Sequence, residues 1–481
     1  MAIKKILCLV IAIFMIAAML YSCSDNKDKN ESGDTNNTTA NPDDNQTQDP
    51  TEDDGYTYNG QKLDFNGEKF TILYYNYLDV GTYFAEEYNG DALNDALYRR
   101  TIDAEEYFHI TMDSIMTNDV AASLAKDVLA GDNSYDIALP YLLGLNSIIT
   151  QNLAYNWQKM PNVNLSKKYW NQSMVDGLTI NGYTPLVVND YLIPLPTFIT
   201  FSKDLVKEYS LESPYTAVKE GKWTWDKVIE MSRQVSKDLD GDGQYTDADL
   251  YGFVCEVDWR MDKVSYSCAQ PLVKRDDDGR YVLAVNTERM QTITDKMYDL
   301  LYKENSSFAY PYGAKTVPFD SGRALFYMYA PKEIVALRST NFDFGLLPYP
   351  KLDENQKDYI DIYAGDSICA PANIENPEKV GAVMEYLAAM GRKSVWPAYF
   401  DILLIGKVIN DEESRDMLDI IYNSSIFDFG FTFKNDFYKI LPNMLLEKST
   451  GVASYYEKRA DAVQRQIDVI YDAFVANSEG N

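Results

Sequence analysis

The chain has 481 residues, 46% of them hydrophobic and 13% aromatic, which supports packed cores and exceeds what one core usually spans, so two or more domains are expected. Its formal net charge of −29, with no concentration of Lys and Arg anywhere, argues against a nucleic-acid partner and suits a solvated acidic surface. With His109 as its single histidine, a Ser-His-Asp triad or a His-rich zinc site has almost nothing to rest on.

In chain order, Lys4 and Lys5 precede an apolar run, "ILCLVIAIFMIAAMLY", that is short for a membrane span and gives way to polar sequence, the layout of a secretory signal. The run ends in "LYSC", which resembles the lipobox of bacterial lipoproteins. That resemblance implies cleavage after residue 22 and a lipid (palmitate-type acylation) on the Cys23 thiol, with Tyr21 bulkier than the usual residue. Residues 23–57, rich in Asp, Asn, Thr and Gly, bury too little to offset chain entropy and read as a disordered tether. Cys255, Cys268 and Cys369 then remain in the body. An odd number of thiols is no disulfide framework; a Cys255–Cys268 bridge is conceivable, buried free thiols the safer reading.

The body opens with "EKFTILYYNYL", the dense apolar run of a buried strand, followed by an amphipathic helix carrying Leu93, Ala96, Leu97, Ala104 and Phe108. "HITMDSI" is a second strand, with His109 structural, "SLAKDVLAG" a second helix stopped by Gly131, and "SYDIALPYLLGL" a third strand. This alternation is the signature of an α/β unit with a largely parallel sheet. The apolar segment from Tyr183 to Tyr215 is expected to supply strands crossing between lobes. Thr224 is a candidate N-cap for a helix whose apolar face includes Trp225, Val228, Ile229, Met231 and Val235, the "KWTWD" tryptophans serving as packing. Strands are expected again at "YGFVCEVDW", "RALFYMYA" and "FDFGLLPYP", and helices at "PEKVGAVMEYLAAMGR" and over Ser454–Asn477.

No GxSxG elbow, HExxH, Walker A or dinucleotide fingerprint is present. "DLDGDGQYTDAD" is more specific. Counted from Asp238, the side chains of Asp238, Asp240, Asp242, Thr246 (through water) and Asp249 and the Gln244 carbonyl fall at the ligand positions of a twelve-residue calcium loop, with Gly243 sixth for the turn. Asp249 stands where Glu is usual. A helix enters the loop, a strand leaves it and no second loop pairs with it, so a structural Ca2+ clip fits better than a sensor; a metal-free acidic turn is the plainer reading.

Taken together, the lipobox and tether, "NGDALNDALYRR", "ITFSKDLVKEY" before "EGKWTWDKVIEMS", the aspartate loop ending in "LYGF", "FDFGLLPYPKLDENQKDY" and "GRKSVWPAYFDILLIGKVINDEESRDMLDIIY" resemble family 1 extracellular solute-binding lipoproteins of bacterial ABC importers, of Gram-positive type. The resemblance implies an α/β, two-lobed periplasmic-binding-protein-like fold (type II), lobes joined by crossing strands. Mapped here, residues 58–196 and 323–362 would form one lobe, 197–322 and 363–481 the other. It further implies a non-enzymatic monomer, lipid-anchored on the outer face of the cell membrane, that captures a carbohydrate and passes it to ABC permease subunits.

Ligands of open α/β sheets bind at the carboxyl ends of strands. On that basis Tyr74, Tyr75, Asp136, Tyr141, Asp190, Trp259, Tyr329 and Asp366 are the candidate ligand-binding residues, since aromatic faces stack on sugars and carboxylates accept hydroxyl hydrogen bonds. An extracellular glycoside hydrolase using paired carboxylates is the alternative, and a calcium-dependent adhesion module a third reading.

Overall fold

The computed structural model describes residues 55–75, 83–141, 145–193, 196–303, 305–310, 317–329, 341–404 and 412–480. The leader, Cys23 and the tether up to residue 54 lie outside the described residues. Among the described residues no helix is long and apolar enough to cross a membrane.

β1 (Glu68–Tyr75) is buried on both faces over Phe70–Leu73, as the central strand of a parallel sheet must be. Helix α1 (Ala92–Phe108) starts where the Asp91 carboxylate accepts from Leu93 N and Asn94 N and stops at His109, which adopts the left-handed conformation at φ 50°. Its inward stripe is Leu93, Leu97, Arg100, Ala104 and Phe108, an arginine among apolar residues. β2 (Ile110–Thr117) follows, then α2 (Val120–Ala130), stopped at Gly131 with φ 72°, and β3 (Ile137–Leu139). The sheet has the order β2-β1-β3, all parallel, and residues 366–371 extend it antiparallel to β3 through the bridges Ala138↔Cys369 and Tyr141↔Asp366.

A second sheet starts with β4 (Phe198–Ser202). Thr224 caps α3 (Trp225–Val235), and Trp223 and Trp225 are fully buried, as expected of packing residues. β5 (Tyr251–Glu256) runs into the short helix α4 (Val257–Arg260); a hairpin of β6 (Val273–Arg275) and β7 (Tyr281–Leu283) precedes β8 (Ser307–Tyr310), β9 (Ala324–Tyr329) and β10 (Phe344–Leu347). The sheet order is β10-β4-β9-β5-β8, with β5 parallel to β8 and β9, and β4 antiparallel to both its neighbours. After β11 (Asp361–Ile362) come α5 (Pro377–Met390), α6 (Trp396–Leu404), α7 (Glu412–Asn423), β12 (Ser425–Ile426), α8 (Ile440–Leu446) and α9 (Ala460–Gly480).

This pairing corrects the expected lobe boundaries. β9 is hydrogen-bonded between β4 and β5, so residues 324–347 belong with the second sheet, whereas 366–371 join the first and α5 and α6 pack on α1. The chain returns to the second lobe with α7 on β10 and α8 on α4, while α9 touches both lobes. The segment from Tyr183 to Tyr215 also differs from expectation: among its described residues β4 is the one strand, and Trp170↔Asn189 and Val187↔Ile368 are isolated bridges, because its prolines and asparagines interrupt ladders.

Three chain segments are laced together between the sheets. Thr197 donates from its backbone N (3.1 Å) and its Oγ1 (2.9 Å) to the Asp361 carboxylate. Asp361 N donates to Ser424 O at 3.0 Å, and Tyr363 N to Ile426 O at 2.9 Å.

Candidate functional site

The laced segments orient both sheets. Tyr141, just past β3, bridges Asp366, three residues beyond Tyr363 of the hinge, so the carboxyl ends of β1 and β3 face the hinge side. Thr197 immediately precedes β4, and β4 is antiparallel to β9, so the carboxyl ends of β9, β5 and β8 face it too. The cleft therefore lies between two sets of strand ends.

On the first lobe that edge carries an aromatic cluster around one carboxylate. Tyr83 OH donates to Asp366 Oδ2, and Tyr363 OH donates to Asp366 O at 2.7 Å. The Tyr74 ring packs edge-on to Tyr83 (6.3 Å between centroids) and tilted against Phe84 (5.5 Å), and Tyr83 stacks on Tyr191 at 6.3 Å. Burial lifts Asp366 to about 6, opposed by the Tyr83 hydrogen bond. Tyr363 is held well above its ordinary value by burial and then by the facing Asp366 and Tyr141.

Behind this cluster stands Arg100, fully buried in the stripe of α1. Its guanidinium lies 4.3 Å over the Tyr191 ring and donates to Tyr191 O (2.9 Å) and Tyr83 O (3.2 Å). Among the described residues it has no carboxylate partner, and burial lowers it to about 10. Arg100 fixes the backbone of both rings that frame Asp366.

The second lobe presents a different face. Trp259, 40% exposed at the end of α4, carries Lys439 Nζ 4.1 Å over its ring. Beneath it Asp262, Lys263 and Asp361 are buried together. Burial pushes Asp262 up to about 7, countered by Lys263, Lys439 and Arg260; it lowers Lys263, countered by Asp361 and Asp262; and it raises Asp361, countered by Lys263 and the Thr197 hydrogen bonds.

Of the residues expected to bind ligand, Tyr74, Tyr75, Tyr141 and Asp366 come together at the first-lobe edge, Tyr75 being 36% exposed, and Trp259 stands on the second. Asp136 does not join them. It precedes β3, at the opposite end of the sheet, where it accepts from Thr71 N (2.7 Å) and pairs with Lys379 (3.1 Å). Asp190 is buried behind Tyr191, 3.9 Å from Arg392, and desolvation raises it to about 8. Tyr329 ends β9, but its side chain lies outside the described residues. Tyr83, Arg100, Tyr191, Tyr363, Asp262 and Lys263 were not among the candidates: nothing in their local sequence marks them, and only the packing of distant segments brings them together.

In the aspartate loop, ligand oxygens of Asp238, Asp240 and Asp242 lie within 4.8 Å of one another. Asp238 accepts from Gly241 N and Gly243 N, Asp240 from Asp242 N, and Asp242 from Gln244 N. Gly241 and Gly243 take φ of 75° and 80°, which the turn requires and which side chains resist. Asp249, also expected as a ligand, lies outside this group of three carboxylates. It is buried, accepts from Leu239 N (2.8 Å) and Thr246 N (2.7 Å), and these bonds, Thr246 first, hold its carboxyl below the usual range. The loop is pinned to the second sheet by Tyr251 OH to Thr246 O (2.8 Å) and Arg323 to Asp247 O (2.8 Å). His109 contacts Asp64 at the surface, and Cys255, Cys268 and Cys369 are buried free thiols.

No family model and no curated protein sequence matches the chain. Solved structures do. UgpB from Mycobacterium tuberculosis, in complex with glycerophosphocholine, is 13% identical and aligns at a TM-score of 0.55 over 83% of this chain and 99% of its own. RafE from Streptococcus pneumoniae in its apo form (16%, TM-score 0.52) covers 86% and 99%, and an ABC substrate-binding protein from Listeria monocytogenes in complex with cycloalternan (12%, TM-score 0.52) covers 84% and 98%. The chain thus has the two-lobed, type II periplasmic-binding-protein-like fold of ABC solute-binding proteins.

Proposed function

We propose that the protein is a non-enzymatic extracellular receptor that captures a carbohydrate, an oligosaccharide in particular, between its lobes and hands it to an ABC permease. The observation that carries this reading is the first-lobe edge, where aromatic rings surround a carboxylate at the carboxyl ends of β1 and β3. Ring faces suit the C–H faces of pyranoses, and a carboxylate oxygen accepts their hydroxyls. Neighbours of the same fold whose complexes hold cycloalternan or glycerophosphocholine support a small polar solute. Lipid anchoring through Cys23 belongs to the same reading. Calorimetry against an oligosaccharide panel, followed by chromatography of the recovered sugar, tests it. Binding of at least one saccharide with the sugar returned intact is expected; no binding, or turnover of a glycan, contradicts it.

We further propose that Asp238, Asp240, Asp242 and the Gln244 carbonyl hold a structural Ca2+. The donor set fits: three carboxylates converge, and although the Asp242 N–H bond lowers Asp240, desolvation and the facing Asp242 and Asp238 raise it overall, a crowding that a cation relieves. Bound calcium would join loop segments already tied to β5. EDTA is expected to lower the melting temperature by on the order of 5 °C while leaving ligand affinity unchanged where the protein stays folded; the reverse ranking would make the ion part of the ligand site.

A further inference from the structure

Among the described residues Asp366 is a carboxylate without a cation. Its Oδ2 takes the Tyr83 hydroxyl, and among the described residues nothing donates to Oδ1 and no Lys or Arg forms an ion pair with it. The titratable groups that face it are tyrosines from every element packed there: Tyr83 ahead of α1, Tyr141 past β3 and Tyr363 of the hinge. Arg100, buried in the stripe of α1, has its guanidinium engaged by two carbonyls and the Tyr191 ring. The opposite face differs, since there the protein lays its own Lys439 over Trp259 and buries Lys263 beside Asp262 and Asp361.

An anion being desolvated needs a compensating charge, and electron-rich ring faces beside it attract the same cation. We propose that the first-lobe edge seats an ammonium group, so that the solute is an amine-bearing saccharide, its charge held by Asp366 and its body against Tyr74, Tyr83 and Phe84. The proposal rests on the solute-binding reading and narrows its substrate class. A neutral sugar would satisfy the hydrogen-bonding capacity of Oδ1 but leave the charge uncompensated once the lobes enclose it. Because burial lifts Asp366 to about 6, the carboxylate is ionised at neutral pH and lost on mild acidification.

The test is calorimetry on the full chain with two disaccharides that differ only at C2, the β-1,4 dimer of glucosamine and cellobiose, at pH 6.8. The amine is expected to bind at least tenfold more tightly, the preference falling away at pH 5 and disappearing in Asp366→Asn. The wild-type pair and its pH dependence stand whether or not that variant folds. Equal affinity, tighter binding of cellobiose, no binding of the glucosamine dimer, or a preference that survives in a folded Asp366→Asn protein each overturn the amine. Binding of cellobiose or any neutral oligosaccharide would leave the carbohydrate reading intact, whereas failure of every saccharide removes both.

Discussion

The two strand-end faces differ in what surrounds their carboxylates: lysine beside Asp262 and Asp361 on one, tyrosines around Asp366 on the other. On the second lobe Lys263 is buried beside Asp262 and Asp361, and Lys439 lies over Trp259, although among the described residues Asp262 Oδ1 has no hydrogen-bond partner. On the first lobe the buried Arg100 and the partly exposed Asp366 each lack an opposite charge among the described residues, and the length of Tyr83 separates them. A matched cluster is a structural device, worth what its removal costs. Of these two groups only Asp366 stands at the strand-end edge, and it is the one that the proposal above gives to the solute.

The contrast can be broken at several points. Lys263→Met should have the largest effect, leaving Asp262 and Asp361 buried without their main cation. A loss of about 3–5 kcal/mol at pH 8 is expected in urea unfolding; a loss under about 1 kcal/mol would mean that the cluster is not matched by Lys263. Arg100→Met comes next. With no carboxylate to orphan, only two carbonyls lose donors, and about 2 kcal/mol is expected, together with weaker cleft binding because Tyr83 and Tyr191 lose their common tie. A loss as large as that of Lys263→Met would place a hidden counter-charge beside Arg100.

The same cluster also carries a pH dependence. Asp262 in the fold titrates near 7, above its ordinary 3.8, so the native state binds the proton more tightly and its contribution to stability declines as pH rises from about 4 to 7. Asp262→Asn should remove that decline, so that its stability relative to wild type improves by up to about 4 kcal/mol between pH 4 and pH 8. Parallel stability curves over that range would show that Asp262 is ionised throughout.

Much of the fold was legible because its signals are local. Thr224 caps a helix through its hydroxyl and Gly131 ends one in the left-handed conformation, and β1, β5, β9 and β10 are dense apolar runs. Lobe assignment was not, because it depends on which strands pair: nothing in "RALFYMYA" says that β9 lies between β4 and β5. The site divides in the same way. Tyr74, Tyr141 and Asp366 follow from the rule that ligands meet strand ends, whereas the same rule misplaced Asp136, which stands before its strand rather than after it. Arg100 was hidden inside a stripe that reads as apolar, and Asp361 and Thr197, 164 positions apart, meet only through the crossing of the chain. In the aspartate loop the spacing identified the three converging carboxylates, but Asp249 satisfies backbone donors that spacing does not reveal.

The central claim is that one solute is gripped by both strand-end faces at once. Hydrogen–deuterium exchange of the full chain, with and without a saccharide that binds, tests it most directly. Protection is expected to rise together at residues 83–84 and 363–366 on the first lobe and at 257–263 on the second. Protection confined to one lobe, or appearing away from both strand-end faces, would contradict capture between the lobes.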